Sequence, residues 1–224
     1  MSFGDKKLSE IAISVPGSTS LLREYDLDFC CGGSDTLAHA AAEKGLNLAE
    51  IETRLTELQN SKAENPEEYW VNATYPEIID HILVRYHQRH REQLQELIVL
   101  ADRVESVHGD RDDCPIGVAA ELRNVYDDLS NHMMKEEHVL FPMIKAGNYM
   151  MAQMPIRMME MEHAEHGEHL DVLKSLTNNM TPPADACNTW LALYSGIQEF
   201  ADDLMMHIHR ENNILFPRVI AENH

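Results

Sequence analysis

Two stretches of the chain keep an apolar rhythm and break it at the same two places. The first reads Leu122, Val125, Leu129, His132, Glu136, Val139, Met143; the second reads Trp190, Leu193, Ile197, Phe200, Leu204, His207, Glu211, Ile214. Steps of three and four put each set on one helix face, the face that packs into a core. Histidine and glutamate therefore stand where leucine belongs. Two further stripes share the period: Ile79, Leu83, Tyr86, His90, Leu94, Leu97, and Met159, His166, Leu170, Leu173, Leu176. His87 and His163 lie with them and face a core as well.

The punctuation between stripes predicts four long helices. Thr74-Tyr75-Pro76-Glu77 is a capping box with an early proline, opening a helix that runs to about Val107. Gly109 to Asp113 reads as a loop. A second helix spans about 115–146 and ends near Gly147, a third spans about 155–177, and a fourth fills 184–220 after the break from Asn178 to Pro183. Pro142 and Pro217 fall near helix ends, where each must kink or terminate its helix. No stretch alternates convincingly enough for a strand, so the expected fold class is all-α.

The stripes are copies of one another. Asp127-Asp128-Leu129-x-x-His132-x-x-x-Glu136-x-x-Val139-Leu140-Phe141-Pro142 recurs 75 residues later (207 − 132) as Asp202-Asp203-Leu204-x-x-His207-x-x-x-Glu211-x-x-Ile214-Leu215-Phe216-Pro217. His87-x-x-His90-x-Glu92-x-Leu94 recurs 76 residues later (163 − 87) as His163-x-x-His166-x-Glu168-x-Leu170. A helical hairpin has been duplicated, and two hairpins make an antiparallel four-helix bundle.

The residues aimed inward are His87, His132, Glu136, His163, His207 and Glu211. An ionised carboxylate buried without a partner costs several kcal/mol, on the order of the whole stability of a domain. Two on one seam need a cation. Four imidazoles and two carboxylates are too many for one tetrahedral zinc. They suit two first-row ions, each with two histidines, bridged by both glutamates, with water, hydroxide or oxide completing the set. The ligand types favour iron, with manganese or zinc as occupants to exclude. About five donors per ion leave an octahedral position open for a small molecule.

A single buried histidine is more often a hydrogen-bonded core residue than a ligand; the duplicated His-x-x-x-Glu pairs reverse that balance. His90 and His166, one turn beyond the proposed ligands, act behind them or simply pack. His138 points off the seam. His81, His169 and His209 also fall off the stripes and are expected to be solvated or peripheral. Met133, Met134, Met158, Met159, Met161, Met205 and Met206 read as adaptable core filler rather than thioether ligands. Asp127, Asp128, Asp202 and Asp203 sit one turn before the seam histidines, where they could orient imidazole N–H groups or be solvated.

Residues 1–60 read as a separate module of short helices, 61–73 as a linker without apolar period, and 74–224 as the bundle. Ser34 or Asp35 could cap a helix stopped by Gly45, and Asn47-x-x-Glu50 opens another. Between the early helices lies Asp28-Phe29-Cys30-Cys31-Gly32-Gly33. Cys30 and Cys31 suit redox, metal transfer or a partner; the competing reading is a packed turn in which glycine permits an unusual backbone. The chain has 38 acidic residues against 18 Lys and Arg, a net charge of −20, which argues against nucleic acid or an anionic membrane as partner. No apolar run approaches a membrane span, and four cysteines with no export signal point to a reducing cytoplasm.

With these residues in hand, the bundle resembles the hemerythrin-like proteins. The whole chain resembles the RIC (repair of iron clusters) family, whose N-terminal module bears Asp-x-Cys-Cys-Gly-Gly. His132-Met-Met-Lys-Glu136-Glu-His-Val-Leu-Phe-Pro142, His207-Ile-His-Arg-Glu211-Asn-Asn-Ile-Leu-Phe-Pro217, Tyr86-His87-Gln-Arg-His90-Arg-Glu and Met161-Glu162-His163 carry the likeness across the bundle. The resemblance implies an oxo- or hydroxo-bridged non-haem di-iron site on the same six ligands, with no catalytic residue separate from it. It also implies repair of iron–sulfur clusters damaged by nitrosative or oxidative stress, by iron donation, by binding nitric oxide, or by reducing it as an enzyme. Reduction would need two electrons from an external donor, since no flavin or haem motif is present. Damaged iron–sulfur proteins are then the partners, and the cysteine module offers a contact surface for a homodimer. The alternative is a hemerythrin-type oxygen or redox sensor, although no output domain is recognisable. A ferritin-like oxidase ranks last, because only Glu160-x-x-His163 fits its motif and its glutamate lies off the seam.

Overall fold

The computed structural model describes residues 2–61 and 63–222. Contacts divide the chain into two units, residues 1–78 with 208–224, and residues 79–207. Among the described residues the only β-type pairing is an isolated bridge between Lys7 and Thr36, and no helix is long and apolar enough to cross a membrane.

The first unit contains five short helices, α1 (Leu8–Ser14), α2 (Ser18–Glu24), α3 (Leu37–Glu43), α4 (Leu48–Asn60) and α5 (Pro66–Asn72). Their apolar faces meet in a core that includes Leu8, Ile11, Leu22, Phe29, Leu37 and Ile51. Asn47 caps α4 as its spacing predicts, accepting from Glu50 N–H. The cap of α3 is Thr36 rather than Ser34 or Asp35. The bridge to Lys7, with Leu37 N–H bonded to Lys6 C=O, holds Thr36 extended, so the helix starts only after it.

Helix α5 lies inside the stretch expected to be a linker. Asn65 caps it, Pro66 occupies its first turn, and Glu67 and Glu68 follow, all favourable at a helix start. It shows no apolar period because its buried residue is Glu67. Glu67 receives two hydrogen bonds from the guanidinium of Arg210, which also lies 4.9 Å from the Trp70 ring. His209 Nε2 is 3.5 Å from the same carboxylate, with its ring edge-on to Phe29 and Asn213 at 2.7 Å from its Nδ1. The expectation that His209 is solvated or peripheral fails: it is fully buried, since this polar cluster gives an off-seam histidine its own interior.

The four long helices are α6 (75–108), α7 (118–145), α8 (149–176) and α9 (188–221). The capping box at Thr74 forms, with Glu77 accepting from both N–H and O–H of Thr74. Within the second unit the pairings run antiparallel. Arg91 meets Glu137 and Asp102 meets Arg123 between α6 and α7; His132 meets Glu162 and Glu121 meets His169 between α7 and α8. Arg85 meets Asp203 and Arg89 meets Glu199 between α6 and α9. Gly196 lets those last two helices touch, since a Cβ there would lie 2.6 Å from Leu97 Cδ2.

Three of these helices widen into π turns, at Leu83–His87, Glu136–Leu140 and Arg210–Leu215. A π turn takes an extra residue and rotates everything after it. The α7 stripe therefore leaves the predicted Val139 and Met143 for Leu140 and Ile144, and Val139 is 44% exposed. Both α7 and α9 pass through Pro142 and Pro217 for one further turn before ending. The wide turn just before each proline moves the carbonyl that its ring would strike. Helix α8 begins at Tyr149, earlier than predicted, with Pro155 inside it.

The Glu67–Arg210 pair gives a stability prediction. Glu67→Ala leaves a buried guanidinium unpaired and should cost about 3–5 kcal/mol by denaturant unfolding. Burial alone would raise the Glu67 carboxyl; hydrogen bonds from His209 and Arg210 outweigh it and hold the carboxyl below its ordinary 4.5. The pair's contribution should be complete above that value and fade as pH falls through the lowered one. Glu67→Gln should flatten this acid limb, and an unchanged limb would place its origin elsewhere.

Candidate metal centre

The π turns sit where the seam histidines and glutamates are. His87 closes the first, Glu136 opens the second, and Glu211 lies in the third, one turn past His207 on the same unbroken helix. His132 lies in the last α-helical turn of α7 before its π turn, and His163 projects from the middle of α8. All six residues have essentially no exposed surface.

Their donor atoms form two groups, each within 4.8 Å. One is His87, His207, Glu136 and Glu211; the other is His132, His163, Glu136 and Glu211. The Nε2 atoms of His87 and His207 are 3.2 Å apart, and those of His132 and His163 are 3.1 Å apart. Glu136 Oε2 is 3.3 Å from His87 Nε2 and 3.4 Å from His132 Nε2. One carboxylate oxygen thus faces both imidazole pairs. The set fits metal on its own chemistry: nitrogen and oxygen donors converge with two carboxylates in a dry interior. Burial and the neighbouring His87 imidazole push His207 well below its ordinary value, so it offers a lone pair rather than a positive charge.

The outer nitrogens are occupied. His87 Nδ1 is 2.8 Å from Glu137 Oε1, and His132 Nδ1 is 3.0 Å from Glu162 Oε2. Arg91 also donates to Glu137 and Lys135 to Glu162. These bonds, led by those from the histidines, pull both carboxyls down to about 2 against the opposing effect of burial. Each outer acid therefore stays ionised and fixes its imidazole with Nε2 turned inward.

Sequence reasoning missed these two acids and looked instead to aspartates one turn before the histidines. Asp128 faces His169 Nε2 at 3.1 Å on the surface. Asp203 is buried but accepts from Arg85 and Gln93. The spacing of a single helix cannot reveal the true partners, because each carboxylate arrives from the neighbouring helix. His90 and His166 do lie behind the inward set. The His90 ring packs 5.3 Å from that of His207, and the His166 ring stands edge-on to His132 at 4.9 Å. Burial and nearby imidazoles push His166 down to about 2, and neither of its ring nitrogens has a hydrogen-bond partner among the described residues.

Cys30 and Cys31 belong to the first unit, in a turn built around Asp28. Asp28 Oδ1 accepts from the N–H groups of Cys30 and Cys31, and Oδ2 accepts from Gly32 N–H. The two sulfurs are 3.8 Å apart and unbridged. Gly33 is required, since a Cβ there would lie 2.6 Å from Phe29 O. Hydrogen bonding to Cys31, burial and the Asp28 charge push the Cys30 thiol well up, so it is held protonated.

The outer acids supply a test of the centre. Glu137→Gln and Glu162→Gln should each weaken metal binding by about 10–100-fold in chelator competition while leaving helicity intact. Undiminished affinity in both would mean that ring orientation is set by packing alone.

Residues 78–219 match the family described as hemerythrin HHE cation binding domain, and residues 4–59 match the ScdA_N family, a domain of unknown function. A Haemophilus influenzae protein named "Probable iron-sulfur cluster repair protein" is 68% identical over 222 residues, 99% of this chain and 100% of its own. The iron-sulfur cluster repair protein YtfE of Musicola paradisiaca is 55% identical over 98% of both chains, and that of Citrobacter koseri is 54% identical over 99% of both. A hemerythrin match over most of the chain, joined to end-to-end identity of this order, means that the chain belongs to the hemerythrin-like iron–sulfur cluster repair (RIC) family.

Proposed function

We propose that this chain repairs damaged iron–sulfur clusters in other proteins and does so through a di-iron centre. One observation carries the di-iron reading: Glu136 Oε2 stands 3.3 and 3.4 Å from imidazole nitrogens of two separate histidine pairs. An oxygen so placed can bridge two ions. His87 and His207 would hold one, His132 and His163 the other, with Glu136 and Glu211 offering a carboxylate to both. When bound, ferrous ions would supply open positions for nitric oxide and iron that can pass to a depleted acceptor.

The surrounding residues prepare that site. Glu137 and Glu162 hold their histidines in the ligating tautomer. Tyr86 stacks on His207 and Phe141 on His87, at 5.3 and 5.7 Å between ring centroids, excluding water and strengthening every charge interaction inside. His90 and His166 close the site one turn further along and keep its rings from rotating away. Cys31 is the more accessible of the two adjacent thiols, so we assign it any exchange with an acceptor, with Cys30 held in reserve as a thiol. Reduction of nitric oxide in this scheme draws electrons from an external donor, in a reducing cytoplasm.

The test is anaerobic purification, measurement of metal per chain, and titration of the reduced protein with nitric oxide while headspace nitrous oxide is followed. Two irons per chain are expected, and Glu136→Ala should lose one or both. Nitrous oxide formation would identify reduction as the route to repair; transfer of iron to an apo-ferredoxin would identify donation. Stable reversible oxygen binding with neither would favour the sensor. Zinc as sole occupant, or two irons retained in Glu136→Ala, would overturn the assignment.

A further inference from the structure

Helix α8 buries one face through Ala152, Ile156, Met159, His163 and Leu170. Its opposite face is made of methionine. Met150, Met151, Met154, Met158 and Met161 are between 50% (Met158) and 76% (Met150) exposed. At 3.6 residues per turn the five fall within an arc of about 100°. They are therefore one continuous stripe and not scattered residues. The expectation that methionines here are core filler holds for Met133 and Met159, which are buried, but not for Met134, Met158 and Met161, which are exposed.

Helix formation does not require this stripe, because glutamate, lysine or glutamine would propagate a solvated helix about as well. Contiguous exposed apolar surface marks an interaction site. Methionine suits one that must fit varied partners, since an unbranched thioether repacks around different shapes. Further along the same arc stand the exposed Glu165 and Glu168, so the apolar stripe runs into carboxylates. The whole chain carries a net charge of −20, which repels acidic partners and draws basic ones.

We propose that the methionine face of α8 is a docking surface for a cationic amphipathic helix presented by another protein. The partner's apolar side lies on the thioethers, and its lysines or arginines reach Glu165 and Glu168. Docking of this kind is read as anchors three and four residues apart. That this partner is a protein awaiting cluster repair rests on the function proposed above; the docking itself needs no metal.

The probe is a fluorescein-labelled 18-residue peptide of leucine and lysine with all leucines on one helical face. Its binding to the full chain is followed by anisotropy, with and without bound metal and with iron content assayed separately. Replacing all five methionines by glutamine should weaken binding by at least about tenfold, while replacing them by leucine should preserve it. A peptide of the same composition with dispersed leucines, or one with glutamate for lysine, should bind at least about tenfold more weakly. A second measurement uses the unmutated chain: peptide should protect the five methionines from peroxide oxidation, read residue by residue by mass spectrometry. Equal binding by the glutamine variant or the dispersed peptide, or oxidation unaffected by peptide, would overturn the proposal. Binding that fails while iron content is normal would condemn the docking surface alone; intact binding to a chain that holds no iron would condemn the di-iron reading alone.

Discussion

Glu136 and Glu211 have no exposed surface, and their carboxylates converge with four imidazoles. Burying two carboxylates so close together is among the costliest arrangements a helical bundle can contain. A metal cation held by the same donor atoms would offset that cost. The rest of the centre follows from that condition. Charge at the rim is balanced within the protein, Glu137 against Arg91 and Glu162 against Lys135. In the middle, imidazole nitrogens and carboxylate oxygens converge in a set that could hold a metal. The imidazoles contribute lone pairs, and aromatic rings keep the surroundings dry enough for the attraction to be strong.

The broad plan was legible in sequence because it rests on periodicity, and periodicity is a property of one helix at a time. Stripes with His and Glu at leucine positions, repeated at offsets of 75 and 76, identify the four helices and the six convergent residues. What stayed hidden depends on neighbouring helices or on departures from α geometry. Glu137 and Glu162 follow or precede seam residues by one position, so a helical wheel places them off the core. Their role appears only when α6, α7 and α8 are side by side. The signal available in the sequence was weak: an acid next to Glu136 and another just before His163. The π turns are equally silent, and they displaced the stripe from Val139 to Leu140. Glu67 and His209 were misjudged for a third reason, since polar residues that satisfy one another can be buried without any apolar pattern.

The first unit shows how the cysteine turn is held. Asn212 Nδ2 donates to the carbonyl of Cys30 and Asn213 Nδ2 to that of Phe29, from the π turn that also carries Glu211. Asp28 fixes the same turn from within through three backbone N–H groups. The Cys-Cys-Gly-Gly sequence is thus explained twice over, by glycine where a Cβ would collide and by carboxylate bonds that leave both sulfurs unbridged. The two thiols are held in contact with one another, their sulfurs 3.8 Å apart.

The duplication that built the bundle has not kept its two halves alike. The position equivalent to Glu137 is Asn212 (137 + 75), and the one equivalent to Glu162 is Tyr86 (162 − 76). The counterpart of one acid is an amide that holds the cysteine turn, and the counterpart of the other is a phenol ring stacked on His207. The His87–His207 pair is consequently walled by Tyr86 and Phe141, the His132–His163 pair by His166. On the two-ion reading proposed above, walls so unlike would hold the ions with unequal strength. Such a centre would fill and empty in sequence, one seat the last to be vacated.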